Sequence, residues 1–393
     1  MKANISGRHI SFWTATSFII ASMIGTGVFT SLGFQLLEIK SIFPLLMLWT
    51  IGGLIALMGA LTYAELGTVF PRSGGEYQLL SRIIHPSIGF AAGMVSSTVG
   101  FTAPAVLAAM ALGSYISTVI PFMSTTAIAC FVIVALHILH MTSIRWGTLF
   151  QNYSTIIKVG LIFFFIAFGL TVLKPQDISI LPLNGDGIIM MSPSFAIGLV
   201  WVSYAYTGWN SVIYISGELI DPKKNIRKVM IYATIFVTVL YVLLNYVFLH
   251  STPIDLMVGK VDIAYIAGIE IFGDFGGKIM GLGISILLLS TVSSYVYIGP
   301  RIMQIMGEDH ISIKFLSYKN KFDIPLVAIF IQFFIATIFL ITSSFEQVLI
   351  YAGIALIITS VFTVISLFFH RIKNPKINRQ YSLDETKMIL IVI

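Results

Sequence analysis

Two short stretches of this chain place residues where an ordinary apolar helix has no use for them. Ser22-Met23-Ile24-Gly25-Thr26-Gly27-Val28-Phe29 lies inside a hydrophobic run from about Ile10 to Leu37. Ser203-Tyr204-Ala205-Tyr206-Thr207-Gly208-Trp209-Asn210 lies inside another, between Phe195 and Ile215. Glycine costs about 1 kcal/mol against alanine in a helix interior. In lipid, a broken helix also strips backbone N–H and C=O groups of partners, which is tolerated only in a protein interior or a polar cavity. The chemistry on offer is that of bare backbone. The N-terminal end of a half-helix presents free N–H groups and a positive dipole end, which suit a carboxylate. Carbonyls at the end of the preceding half-helix suit an ammonium. Thr26 and Gly27 are the candidates for the first role, with Gly25 allowing close approach to the backbone. Met23, Ile24, Ser203 and Ala205 are candidates for the second, and Thr207 and Gly208 complete the set. Tight helix packing through small residues is the alternative reading of the glycines.

These residues sit in a chain that is 57% hydrophobic and 10% charged over 393 residues, with mean hydropathy +0.95. Soluble domains carry about 25% charged residues, so a soluble enzyme is excluded. A membrane-crossing helix needs about 20 apolar residues. Runs of that kind fall at about 10–37, 42–70, 88–120, 124–142, 150–173, 194–217, 227–250, 275–302, 324–343 and 347–369. The first run is too long for a cleaved leader and is read as a retained helix.

With the N-terminus in the cytoplasm, 18 of the 23 Lys and Arg residues fall on inner segments and four, Lys40, Lys174, Lys260 and Lys278, on outer ones. That asymmetry satisfies the positive-inside rule. It accounts for the net charge of +6 without nucleic acid. The remaining cation, Lys158, lies about 12 Å deep in the fifth run at 1.5 Å per residue, where an ionisable residue is read as functional. Glu65, Arg72, Glu76, Glu218 and Asp221 lie near the cytoplasmic face, as an inner gate or as solvated loop charges. Cys130 is the single cysteine, so no intramolecular disulfide is possible. His137, His140 and His310 show no metal-ligand spacing. No phosphate-binding loop or catalytic triad is present, so neither a nucleotide, a cofactor nor a metal is expected.

Five helices in each half give the two halves opposite orientation, the arithmetic of an inverted repeat with the first helix matching the sixth. Interrupted segments at corresponding places in two halves point to a transported solute's site.

Four motifs carry a resemblance to a known family. Met23-Ile24-Gly25-Thr26-Gly27-Val28-Phe29 resembles the first-helix signature of the amino acid–polyamine–organocation permeases. Tyr63-Ala64-Glu65-Leu66-Gly67-Thr68, with Phe70-Pro71-Arg72-Ser73-Gly74-Gly75-Glu76-Tyr77, resembles their motif after helix 2. Tyr204 to Asn210, then Gly217 to Pro222 and Asn225-Ile226, resembles their sixth helix and the following loop. Arg301 with Glu308-Asp309-His310 resembles the loop after helix 8. The Gly-Trp-Asn form is most similar to the L-type amino acid transporter branch. The resemblance spans about Ile10 to Lys376.

The resemblance implies an all-α polytopic membrane protein with a LeuT-type 5+5 inverted repeat and discontinuous helices 1 and 6. The repeats would span about 10–173 and 194–369. Residues 377–393 would form a cytoplasmic tail and the start of an eleventh helix at Met388, where family members usually have about twelve. The implied activity is secondary transport of amino acids by alternating access. The site contains no mid-depth carboxylate, which favours neutral over cationic substrates. A cationic amino acid or polyamine exchanger and a non-transporting amino-acid sensor are the alternatives. By the same resemblance Tyr204 is an aromatic gate, and Lys158 takes the place of a sodium ion, touching helix 1 near Gly25 and helix 8 near Ser290 or Ser293. Protons are the implied coupling ion, with a permanently charged Lys158 in an ion-independent exchanger as the alternative; the inner (plasma) membrane bilayer is the expected setting, and a protein partner is left open.

Overall fold

The computed structural model describes residues 9–375, apart from Pro121, Ser143 and Val261. The proposed tail and eleventh helix lie outside the described residues. Eight helices are long and apolar enough to cross a membrane, and two shorter apolar ones, Pro193–Ala205 and Leu326–Thr342, complete the ten segments expected. The first segment is broken into α1a (Phe12–Met23) and α1b (Gly27–Gln35). Then follow α2 (Ile42–Val69) and α3, which runs Pro86–Val95, through a π-turn at Ser96–Gly100, to Thr102–Val119. After these come α4 (Thr125–Thr142) and α5 (Ile144–Gly169). The sixth segment is also broken, into α6a (Pro193–Ala205) and α6b (Ser211–Tyr214). The remainder is α7 (Pro222–Ser251), α8 (Ile263–Asp309, bent at Gly273), α9 (Leu326–Thr342) and α10 (Phe345–Lys373). This is the LeuT-type architecture, with breaks at the two places where the glycines fall.

Local chemistry sets several helix starts. Ser11 and Ser192 accept from Thr14 N and Phe195 N as N-caps, and Pro193 and Pro222 occupy first turns, where proline's missing N–H costs nothing. Ser344 and Gln347 form a reciprocal capping box at the start of α10. The core is built from inward faces of α1, α2, α6, α7 and α8, with Trp49, Tyr63, Tyr206, Tyr214 and Tyr241 fully buried. Outward faces of α4, α5, α9 and α10 expose Phe131, Phe163, Phe330 and Phe362, as lipid-facing helices do.

Two boundaries differ from the sequence reading. Arg301, placed by the resemblance in the loop after helix 8, lies inside α8, which continues about two turns past the expected end to Asp309 and buries Arg301. The proline at Pro300 does not end the helix. At the other end a further helical stretch from Ile263 precedes the expected segment, joined to it through the non-helical Gly273 (φ 74°, ψ 177°).

The orientation is testable by labelling. In a Cys130→Ser background, Lys174→Cys should react with an impermeant maleimide in intact cells. Lys223→Cys should react only after lysis, and the opposite pattern would reverse the topology.

Candidate functional site

The break in α1 leaves the last carbonyls of α1a without helical partners, and the rest of the protein supplies them. Ile24 N donates to the Ile20 carbonyl at 2.9 Å. Lys158 Nζ donates to the Ala21 carbonyl at 3.2 Å and the Ile24 carbonyl at 2.7 Å. Tyr295 OH donates to the Ser22 carbonyl at 2.7 Å, and Tyr241 OH to the Met23 carbonyl at 2.5 Å. Thr291 Oγ1 donates to Ile24 O as well, at 2.7 Å. Side chains from α5, α7 and α8 thus complete a helix end that would otherwise leave buried acceptors unpaired, at about 1–3 kcal/mol each.

Lys158 is fully buried, and its third partner is Thr291 Oγ1 at 2.7 Å. The hydroxyl that α8 offers is therefore Thr291 rather than the expected Ser290 or Ser293. Ser290 lies 3.5 Å from Thr155, and Ser293 is bonded to His140 at 2.9 Å. One residue along a helix turns a side chain by about 100°, so three hydroxyls within four positions cannot be separated by eye in the sequence.

The N-terminal end of α1b is treated differently. Thr26 makes no side-chain cap to its own helix, and Phe29 N turns back to the Thr26 carbonyl at 2.9 Å, so the N–H groups of Thr26, Gly27 and Val28 have no helical carbonyl before them. A small cavity opens there, lined by Met23, Gly25, Thr26, Gly27, Tyr204, Ala205 and Thr207 among the expected residues, with Ser22, Pro104, Thr291 and Tyr295 added. Ser203 and Ile24 do not line it, and Gly208 lines a neighbouring cavity of about 30 Å³ that shares Thr207 and Tyr295. No carboxylate lines either cavity. Tyr204 closes the side facing α3 and α10, packing with Ala103, Leu107, Val348 and Ala352.

The expected ammonium acceptors need correction. The Met23 carbonyl already accepts from Tyr241 and Gly25 N, and the Ile24 carbonyl from Lys158 and Thr291. A carbonyl has two lone pairs, so both are full. Tyr204 O is likewise taken, by Thr207 N and Oγ1. Ala205 O lies 3.3 Å from Tyr241 Oη, whose single hydrogen is directed to the nearer Met23 carbonyl, so its accepting capacity is not filled by Tyr241.

Close packing explains two of the glycines. A Cβ on Gly27 would stand 2.5 Å from Ala205 Cα, so α1b and α6a touch through their backbones. Gly208 has φ +105°, and a Cβ there would meet the Ser22 carbonyl carbon at 2.7 Å. At Gly25, by contrast, the nearest atom to a built Cβ is Thr291 Cγ2 at 3.4 Å.

The helix ends expected from the sequence to be cytoplasmic are clamped together. His9 N and Ile10 N donate to the Glu218 carbonyl, and Ile220 N donates to Ile10 O. Arg301 Nε reaches Glu218 Oε1 at 2.7 Å, His9 Nε2 lies 3.2 Å from Glu218 Oε2, Arg72 pairs with Asp309 at 2.6 Å and Arg371 with Glu65 at 2.6 Å. Burial pushes the Glu218 carboxyl up, but Arg301 and His9 outweigh it and hold it down at about 2. Of the five cytoplasmic charges read from the sequence, Glu65 and Glu76 are fully buried rather than solvated, and Asp221 is exposed at the start of α7. Among the described residues, no group of His, Cys, Asp or Glu side chains is arranged to hold a metal ion.

Residues 10–393 match the amino acid permease family model. The chain belongs to the amino acid permease family. It is 27% identical over 373 residues to the serine/threonine exchanger SteT of Bacillus subtilis, covering 92% of this chain and 82% of that one. It is 24% identical over 382 residues to the b(0,+)-type amino acid transporter 1 of Oryctolagus cuniculus, 95% of this chain and 78% of the relative. The large neutral amino acids transporter small subunit 2 of the same animal is 24% identical over 387 residues, 96% and 72%.

The packing geometry separates the glycines of this permease experimentally. Gly208→Ala should prevent accumulation of folded protein, because clash adds to the roughly 1–2 kcal/mol cost of a left-handed alanine. Gly25→Ala should accumulate normally. Equal yields by size-exclusion chromatography would contradict the assignment.

Proposed function

We propose that this permease is a secondary transporter that carries neutral amino acids across the inner membrane by alternating access, with its N-terminus in the cytoplasm. The observation that carries this reading is the asymmetry at the α1 break: its carbonyl end is filled by protein donors, and its N–H end is left open to a cavity. The substrate carboxylate docks on the N–H groups of Thr26 and Gly27, aided by the Thr26 hydroxyl. The ammonium docks on the Ala205 carbonyl, the acceptor at the facing break with capacity to spare. Met23, Gly25, Tyr204 and Thr207 enclose the ligand, and Tyr204 gates it.

A neutral side chain is favoured because a cationic one would enter without a carboxylate partner, and burying it unpaired costs at least several kcal/mol. Lys158 ties α1a to α5 and α8. In this reading it exchanges a proton as α1a moves, which makes transport proton-responsive and sodium-independent.

Counterflow in proteoliposomes tests the site reading. Labelled alanine, serine, leucine or phenylalanine should be taken up against the same unlabelled amino acid, with lysine, arginine and putrescine competing at least tenfold less well. Preferential competition by the cations would overturn the neutral assignment, and binding without counterflow would make the protein a sensor.

Lys158→Met tests the coupling. It should lose the response to an inward proton gradient and cut uptake more than tenfold. Strict sodium dependence of the unmodified protein would rule the coupling out.

A further inference from the structure

One buried acid takes no part in the substrate cavity or in the ion pairs that clamp the cytoplasmic ends. Glu76 begins the short helix Gly75–Ile83 that follows α2, outside the membrane-spanning segments, and its side chain is fully buried. Among the described residues, no cation pairs with it. Four neutral donors surround it instead. Tyr63 OH and Asn210 Nδ2 donate to Oε1 at 2.8 and 3.0 Å. Ser96 Oγ donates to Oε2 at 3.1 Å, and Tyr214 OH donates to the same oxygen. These groups come from α2, the α6 break, the π-turn of α3 and α6b. A single carboxyl therefore joins four elements directly beneath the cavity that Asn210 and Tyr214 help to line.

We propose that Glu76 is a proton-binding site of the cytoplasmic gate, holding a proton while these elements are closed around it and releasing it to cytoplasmic water when they part. The proposal rests on the reading of the chain as an alternating-access transporter.

The site can satisfy either protonation state. With the carboxyl ionised, all four groups donate. With it protonated, its O–H donates to Ser96 or Tyr214, whose hydroxyls lie 3.5 Å apart, so the displaced hydrogen passes between them. Only Asn210 Nδ2 is an obligate donor. The proton comes from the cytoplasm and returns there, so none need cross the membrane.

The titratable groups facing the carboxyl are Tyr63 and Tyr214. Charged groups on the elements packed around it are paired with each other: Glu65 with Arg371, Glu218 with Arg301 and His9, and Arg72 with Asp309, which also accepts from Tyr77. Arg82, on the same short helix, lies over Phe70, and His370 of α10 packs edge-on against that ring. The membrane segments that supply Ser96 and Asn210 bring no charged side chain into this cluster.

Burial pushes the Glu76 carboxyl up, and the four hydrogen bonds only partly offset it. In the opened, hydrated state the carboxyl returns toward its ordinary value. The closed gate therefore binds the proton more tightly, acid favours closure, and opening becomes easier as cytoplasmic pH rises through the closed-state value. Glu218 cannot produce the same response near neutrality, because it titrates at about 2.

Trp209 reports on this cluster, since its ring meets that of Tyr63 edge-on at 4.8 Å. The test is a pH titration of intrinsic fluorescence of the whole protein in detergent, without substrate, from pH 5 to 8.5. The wild type should show a transition that is absent in both Trp209→Phe and Glu76→Gln, and Tyr63→Phe should move its midpoint to higher pH. In proteoliposomes, exchange should accelerate as internal pH rises, by up to about tenfold per pH unit, and Glu76→Gln should flatten that dependence. A flat wild-type Trp209 signal, or a Glu76→Gln variant that keeps the wild-type pH profile, would overturn the proposal. If Glu76→Gln does not accumulate, the wild-type transition and the Tyr63→Phe shift decide it alone. An intact titration with no counterflow of any amino acid would refute the transport reading and leave the proton site standing.

Discussion

A helix that breaks inside a membrane must find partners for the backbone groups it exposes, and much of this protein is arranged around that requirement. Lys158 meets it most economically. One ammonium from α5 holds two carbonyls of the α1 break and the Thr291 hydroxyl of α8. Tyr241 and Tyr295 complete the set from α7 and α8. Three helices from both repeats thus hold the end of α1a through side-chain donors. Any movement of α1a must exchange these partners for others or for water, because a buried ammonium without them is costly. In the proposed function that gives the break two roles: it would expose a ligand site on one side and tie the half-helix to the scaffold on the other.

The second constraint is the backbone contact between the two breaks. Gly27 against Ala205, and Gly208 against Ser22, bring α1 and α6 closer than side chains permit. Tyr241 OH lies between the Met23 and Ala205 carbonyls at the same junction, donating to the nearer Met23 carbonyl. The result is a cavity made mostly of main chain and hydroxyls, where hydrogen-bonding positions are fixed by helix geometry and not by flexible side chains. In the function proposed above, substrate groups common to all amino acids would meet that fixed part, while Tyr204 and the neighbouring cavity beneath Thr207 and Tyr295 would meet what differs between them.

Much of this was legible in the sequence because its signals are local. Hydropathy placed all ten segments, and glycines marked both breaks, Gly25 and Gly27 in the first and Gly208 in the second. What the sequence concealed depends on distant contacts. Gly27 reads equally well as a ligand contact or a packing contact until Ala205 is seen beside it. Ser290, Thr291 and Ser293 offer the same hydroxyl chemistry, and only the rotation of α8 selects Thr291 for Lys158. Met23 and Ile24 lose their apparent acceptor capacity to side chains more than 100 positions away. Glu65 and Glu76 look like loop charges at the end of an apolar run, yet the partners that bury them, Arg371 and Asn210, come from the second repeat.

The central claim is that the open N–H end of α1b recognises a carboxylate while the facing Ala205 carbonyl recognises an ammonium. Competition of labelled leucine counterflow by leucine, leucine methyl ester and isoamylamine tests it directly. The account predicts that the ester and the amine, each lacking the carboxylate, compete at least tenfold less well than leucine itself. An ester that competes as well as leucine would contradict it.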